Sequence, residues 1–143
     1  MLKKLYQTEI VPMLKKELGV ENAMALPHVT KVTVSVGLSQ GIKDPKVLET
    51  VEQTLTRITG QKPVKTKAKK SIASFKIRQG MVVGMMVTLR GDRMWDFLTR
   101  LTRVSFPRIR DFRGIPTSIL DDHGNASIGF RENLAFPEIR PDE

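Results

Sequence analysis

The sequence predicts an α+β domain, a mainly antiparallel sheet with helices packed on one face and the opposite face left open. Three observations lead there. Apolar residues at three-to-four spacing mark helices, strict alternation marks strands, and they follow one another as helix, strand, helix, strands, helix. No internal repeat, low-complexity tract or Gly/Ser linker divides them. With 143 residues and 40% hydrophobic content, residues 1–143 are expected to form one domain whose core needs neither metal nor disulfide.

The elements follow in chain order. Leu2, Leu5, Tyr6, Ile10, Met13, Leu14 and Leu18 form a helical stripe that stops at Gly19, with a kink or restart expected at Pro12, and the stripe is expected to pack on the body. From Val29 to Val36, Val32, Val34 and Val36 alternate with Lys31, Thr33 and Ser35, the pattern of a half-buried strand. Asp44 as N-cap, Pro45 at the first helical position and Gly60 beyond the end bracket a helix carrying Val47, Leu48, Val51, Leu55 and Ile58. Pro63 to Lys70 reads as extended, with Lys65, Lys67 and Lys69 projecting from one side as a row of ammonium groups. Ser71 to Arg78 is readable as a strand or as a mobile hairpin arm. Met81 to Leu89 alternates again and reads as a central strand with Val83, Met85, Val87 and Leu89 inward. A last helix follows Asp92, with Met94, Phe97, Leu98, Leu101 and Val104 toward the core, Arg93, Arg100 and Arg103 outward, and its end at Pro107. Beyond it regular structure thins, with a short strand expected near Ala126 to Phe130. Met81, Met85 and Met86 are read as core filler.

Charge is the feature that points to function. Between Arg57 and Arg113 stand fifteen Lys or Arg residues against three acids, so more than the whole net charge of +9 lies there. The remainder carries nine basic and twelve acidic side chains. Such concentration describes a polyanion-binding surface, and nucleic acid is the leading partner. Cations at Lys65, Lys67, Lys69, Lys70, Lys76, Arg78, Arg108, Arg110 and Arg113 can meet successive phosphates. Short polar side chains at Ser35, Gln61, Thr66 and Thr88 let an RNA backbone or 2′-hydroxyl come close if their strands are neighbours, which makes the open sheet face the one available to RNA. A solvated edge that discourages aggregation, or surface salt bridges to Asp92 and Asp111, is the plainer alternative.

Other classes fare worse. Zero cysteine removes disulfides and thiolate chemistry and suits a reducing cytosol. No apolar run approaches a membrane span or a signal peptide, so a soluble, untargeted protein without membrane association is expected. His123 beside Asp121 and Asp122 is better read as a turn than as an acid–base or metal site, His28 stands alone, and no glycine-rich phosphate loop occurs, so neither enzyme activity nor a cofactor is expected. Eight aromatics are few for a single-strand binder that stacks bases. An independent single-strand RNA-binding module or chaperone, and a small Asp/His hydrolase, remain the competing classes.

The segment Leu55 to Ser71, LTRITGQKPVKTKAKKS, is followed by SFKIRQGMVVGMMVTLRG, FPRIRDFRG and SIGFRENLAFPEI. In this order the blocks resemble, over practically the whole chain, the large-subunit ribosomal protein family that binds 5S ribosomal RNA, L-five in the bacterial scheme. The resemblance implies a cytoplasmic ribosome component of the central protuberance that grips 5S rRNA, touches 23S rRNA and other protuberance proteins, meets a small-subunit head protein across a bridge, and reaches toward P-site tRNA. It carries the 5S contact onto Ser35, Gln61 and Thr88, with Asn the usual family residue at position 35. It carries the tRNA-facing loop onto Ala73, Ser74, Phe75, Lys76, Ile77, Arg78 and Gln79, in a basic, flexible arm around 66–80. It sets the bridge near Arg110 to Asn125. It also implies that relatives continue past Phe136-Pro137-Glu138-Ile139 with another strand and a closing helix, so a chain ending at Glu143 is expected to be less stable than they are.

Overall fold

The computed structural model describes residues 2–38, 44–110, 112–130 and 135–139. Helix α1 (Leu2–Leu5) leads through a π-helical turn at Tyr6–Ile10 into α2 (Val11–Leu18). The π turn is how the helix tolerates Pro12. A proline has no N–H for the carbonyl four residues back, and the wider turn, in which the Val11 N–H reaches the Tyr6 carbonyl, absorbs the mismatch without a break. Gly19, at φ 63°, ends the run. The helix meets the body through its first turns: Tyr6 stacks at 5.4 Å from Trp95, its hydroxyl donates to the Pro27 carbonyl at 3.0 Å, and Lys3 Nζ lies 2.6 Å from Asp92 Oδ1. Met13 and Leu18 stay more than half exposed, so the expected packing stripe covers only part of the helix.

The sheet has three strands, β1 (Val32–Gly37), β2 (Val64–Lys67) and β3 (Val82–Leu89), all paired antiparallel in the order β1-β3-β2. The expected central strand is therefore central. Opposite β3, Val32 meets Leu89, Val34 meets Val87 and Val36 meets Met85, so β1 and β3 share one face that presents only apolar side chains. Helix α3 (Pro45–Thr59) follows the anticipated punctuation, with Asp44 accepting the Lys46 N–H at 3.0 Å and Gly60 at φ 69°. Leu55 and Ile58 from α3 join Met85, Val87 and Leu89 in the core, with Met94, Phe97, Leu101 and Phe106 from the last helical segment.

That last segment departs from expectation. Helix α4 (Gly91–Arg100) passes through a second π turn at Leu101–Ser105 into α5 (Phe106–Arg108), so Pro107 sits inside the helical run instead of ending it. The reason is the same as at Pro12: the Phe106 N–H bonds to the Leu101 carbonyl one residue further back than usual, and a residue without an N–H can follow. The extra residue also rotates Val104 out of the core, where it is 37% exposed. Arg100 turns inward, not outward. Its guanidinium donates to Glu138 Oε1 at 2.6 Å and to the Ile58 carbonyl at 3.0 Å, tying α4 to the end of α3 and to the segment 135–139. Phe136 in that segment stacks on Phe97.

The strand anticipated near Ala126 to Phe130 is absent among the described residues. Ala126 makes a single bridge to Leu120, and no neighbouring strand extends it into a ladder. Met86 also corrects its reading as core filler, since it is 39% exposed on the open face, while Met85 beside it is buried. Parity along the strand decides between them.

Candidate nucleic-acid interface

The open face of the sheet brings the short polar side chains together. Thr33 lies opposite Thr88, Ser35 opposite Met86, and Thr66 opposite Gly84 across the three strands. Gln61, in the turn between α3 and β2, donates from Nε2 to the Thr88 carbonyl at 3.3 Å. Thr59 helps to shape that turn, its hydroxyl donating to the Leu55 carbonyl at 2.6 Å and accepting from the Gln61 N–H at 3.3 Å. Gln61 and Thr88 therefore form one unit, with Ser35 on the neighbouring strand. Two features were not anticipated. Val64 and Met86 are cross-strand partners, and both are exposed, giving the polar face an apolar patch. Gly84 lets the strands close up: a Cβ there would come within 2.7 Å of the Val36 carbonyl and 3.1 Å of Thr66 Oγ1. An isolated glycine within an alternating strand is the signal that could have revealed this close approach.

The lysine row expected from Lys65, Lys67 and Lys69 is broken. Strand β2 ends at Lys67, and a register shift falls between Thr66 and Lys67, which interrupts the alternation. Lys65 lies opposite the buried Met85, and its ammonium reaches Glu52 Oε2 at 3.1 Å; Lys62 reaches Glu52 Oε1 at 3.4 Å. The hydrogen bond from Lys65 is the main reason that the Glu52 carboxyl is held below its ordinary value, against the opposing effect of desolvation. Lys65 is thus partly neutralised inside the chain. Lys67, Lys69, Lys70, Lys76 and Arg78 are exposed with no carboxylate partner among the described residues.

Residues 68–81 form a hairpin that extends β2 and β3 outward. Ala68 and Met81 pair at its base, with the Ala68 N–H 2.8 Å from the Met81 carbonyl, and Ile72 and Ile77 exchange N–H···O bonds of 3.1 and 3.3 Å near its tip. The Gln79 N–H donates to Ser71 Oγ at 2.9 Å between these rungs. The hairpin reading of Ser71 to Arg78 is therefore the one realised. The loop from Ala73 to Lys76 is closed by the Lys76 N–H on the Ala73 carbonyl at 3.0 Å. Lys76 adopts φ 54°, the only positive value at a non-glycine among the described residues.

Arg108 ends α5, and Arg110 and Arg113 stand exposed in the following loop, away from the Gln61–Thr88 unit in sequence and topology; Asp111 lies outside the described residues. Further on, the Asp121 carboxylate accepts from the His123 N–H at 3.0 Å, the Asn125 N–H at 2.7 Å and the Asn125 side chain at 2.8 Å. Those bonds, Asn125's side chain foremost, hold the Asp121 carboxyl below its ordinary value and account for the acidic cluster as a turn. No helix among the described residues is long and apolar enough to cross a membrane.

Comparison with known proteins covers both halves of the chain. Residues 22–78 match the family model described as ribosomal protein L5, and residues 82–143 match the ribosomal L5P family C-terminus. The large ribosomal subunit protein uL5 of Syntrophotalea carbinolica is 54% identical over 138 residues, covering 96% of this chain and 75% of that protein. Those of Cupriavidus metallidurans and Chloroflexus aurantiacus are each 50% identical over 142 residues, covering 99% of this chain and 79% of theirs. Identity of this depth over nearly the whole chain, with both halves matched by the family's models, leaves one conclusion: the chain belongs to the ribosomal protein L5 family.

Proposed function

We propose that this chain, a large-subunit ribosomal protein by its family and not an enzyme, grips 5S rRNA with the open sheet face and touches 23S rRNA with its surrounding cations. It works in the central protuberance of the cytoplasmic ribosome, beside other protuberance proteins. The hairpin 68–81 reaches toward P-site tRNA, and the loop 110–125 toward a small-subunit head protein. The observation that carries the 5S assignment is the union of Gln61 with the Thr88 backbone next to Ser35 on a face that the helices leave uncovered. Binding there combines two kinds of contact. The ammonium groups at Lys67, Lys69 and Lys70 meet phosphates and set affinity, while Gln61, Thr88 and Ser35 meet sugar and base edges and set discrimination. Lys65 contributes less than its neighbours because Glu52 already holds it.

Titration of labelled 5S rRNA into the full chain tests this. If six to ten phosphates are engaged, affinity drops by about 10³ to 10⁵ between roughly 50 and 200 mM salt. Alanine at Lys67, Lys69 and Lys70 weakens 5S rRNA and poly-U alike, whereas Gln61→Ala and Thr88→Ala narrow the gap between them. Equal affinity of the parent chain for both RNAs would identify a general single-strand binder and defeat the proposal.

A further inference from the structure

Five of the six phenylalanines are committed to one another. Phe97 stacks with Phe136, Phe136 with Phe130, Phe130 with Phe106 and Phe106 with Phe112, at centroid separations between 5.0 and 6.4 Å. The sixth, Phe75, has no ring partner among the described residues and is 73% exposed at the tip of the hairpin 68–81. Leaving a large apolar ring in water is costly, and a tip that needed only to turn would accept a small polar residue. The backbone beneath it is held in place. The Ile72–Ile77 pair closes the stem, and Lys76 takes a left-handed conformation that β-carbon sterics disfavour, so the chain reverses directly after the ring. Lys69, Lys70, Lys76 and Arg78 surround this tip in sequence, exposed and without a carboxylate partner among the described residues.

We propose that Phe75 is a stacking platform for an uncovered base of a folded RNA, steered and retained by the cations on either side of it. The inference rests on the reading of the hairpin as the tRNA-facing arm and adds how that arm recognises its ligand. An aromatic ring among cations suits a nucleobase next to its phosphates, because every base offers a π-face of matching size and every phosphate a charge to neutralise. A protein partner would call for a broader apolar surface, whereas Phe75 stands among Ala73, Ser74 and Lys76 with a single further exposed apolar side chain, Ile72, in the stem between 68 and 81.

The test measures binding of fluorescently labelled deacylated tRNA to the full chain at low ionic strength. Phe75→Ala is expected to weaken binding roughly five- to a hundred-fold, the range of a lost base–aromatic stack. Phe75→Leu, which keeps the apolarity and removes the π-face, falls with it, and neither changes the thermal melt. Phe75→Trp in a Trp95→Phe background binds as tightly as the parent or more so, and tRNA quenches its indole emission. If Phe75→Leu binds like the parent, the ring is merely apolar and the proposal is overturned. If Phe75→Ala binds like the parent while Lys76→Ala and Arg78→Ala weaken binding, the arm reads phosphates alone: the tRNA assignment stands and stacking falls. If the parent chain fails to bind tRNA, both readings fall. If Phe75→Ala spares tRNA binding but weakens retention in the large subunit, the ring is a protein contact, and the proposal is likewise overturned.

Discussion

The two faces of β3 have opposite surroundings over one stretch of eight residues. Met85, Val87 and Leu89 are almost wholly buried beneath α3 and α4, whereas Gly84, Met86 and Thr88 look out on the side where Ser35, Thr66 and Gln61 gather. Burial and exposure are separated here by parity alone. A residue's neighbour in sequence lies on the other face, while the residue two positions away lies on the same one.

The strongest way to break that division is to delete on the buried side. Leu89→Ala is expected to cost about 2–5 kcal/mol in chemical denaturation, the range for a large buried apolar side chain. Met86→Ala, one strand face over, is expected to cost less than about 1 kcal/mol. Comparable losses at the two sites would show that the open face is as much a part of the core as the covered one.

Gly84 is the exception on the open face. It faces the open side, yet Gly84→Ala is expected to destabilise by about 1–3 kcal/mol, because the added carbon meets backbone at Val36 and can be relieved only by moving β1. An unchanged melt for this variant would mean that the strands can part at that point without loss.

The smallest effect lies outside the sheet, in the surface ion pairs. Glu52 and Asp92 both have carboxyls held below their ordinary values of 4.5 and 3.8, chiefly by hydrogen bonds from Lys65 and Lys3 respectively. A carboxyl with a depressed folded-state pKa stabilises above its unfolded value, and that contribution disappears as pH falls through the folded one. The melting temperature is therefore expected to decline slightly below about pH 4.5, and Glu52→Gln to remove part of that decline. The Lys3–Asp92 pair is exposed, and Glu52, half-buried, faces lysines that are themselves largely in solvent, so a large acid loss attributable to either pair would contradict their weak coupling.

Much of this was legible in the residues. Asp44, Pro45 and Gly60 bounded α3 because capping chemistry is local, and alternation put Thr33, Ser35 and Thr88 on one face because a strand's period is two. The two prolines were harder. Pro12 and Pro107 both carry the usual helix-stopping signal and each is preceded by a π turn, yet the helix runs on to Leu18 past the first and ends at Arg108, one residue past the second. Lys65 looked like one member of a cationic row. Its pairing with Glu52 depends on how α3 lies against β2, which no periodicity reports. The Gln61 bond to Thr88 spans 27 positions and was likewise beyond any local rule.

The residues alone specify the class of fold, the central place of β3, the basic middle and, through their motif order, the family. These are properties of local conformation and composition, which each short segment carries with it. Tertiary contacts settle which cations are neutralised within the chain, which methionine is core and which is surface, and that Phe75 has no ring partner among the described residues. Those distinctions depend on what distant segments bring alongside, and the free energy that settles them is burial and pairing between residues far apart in the chain.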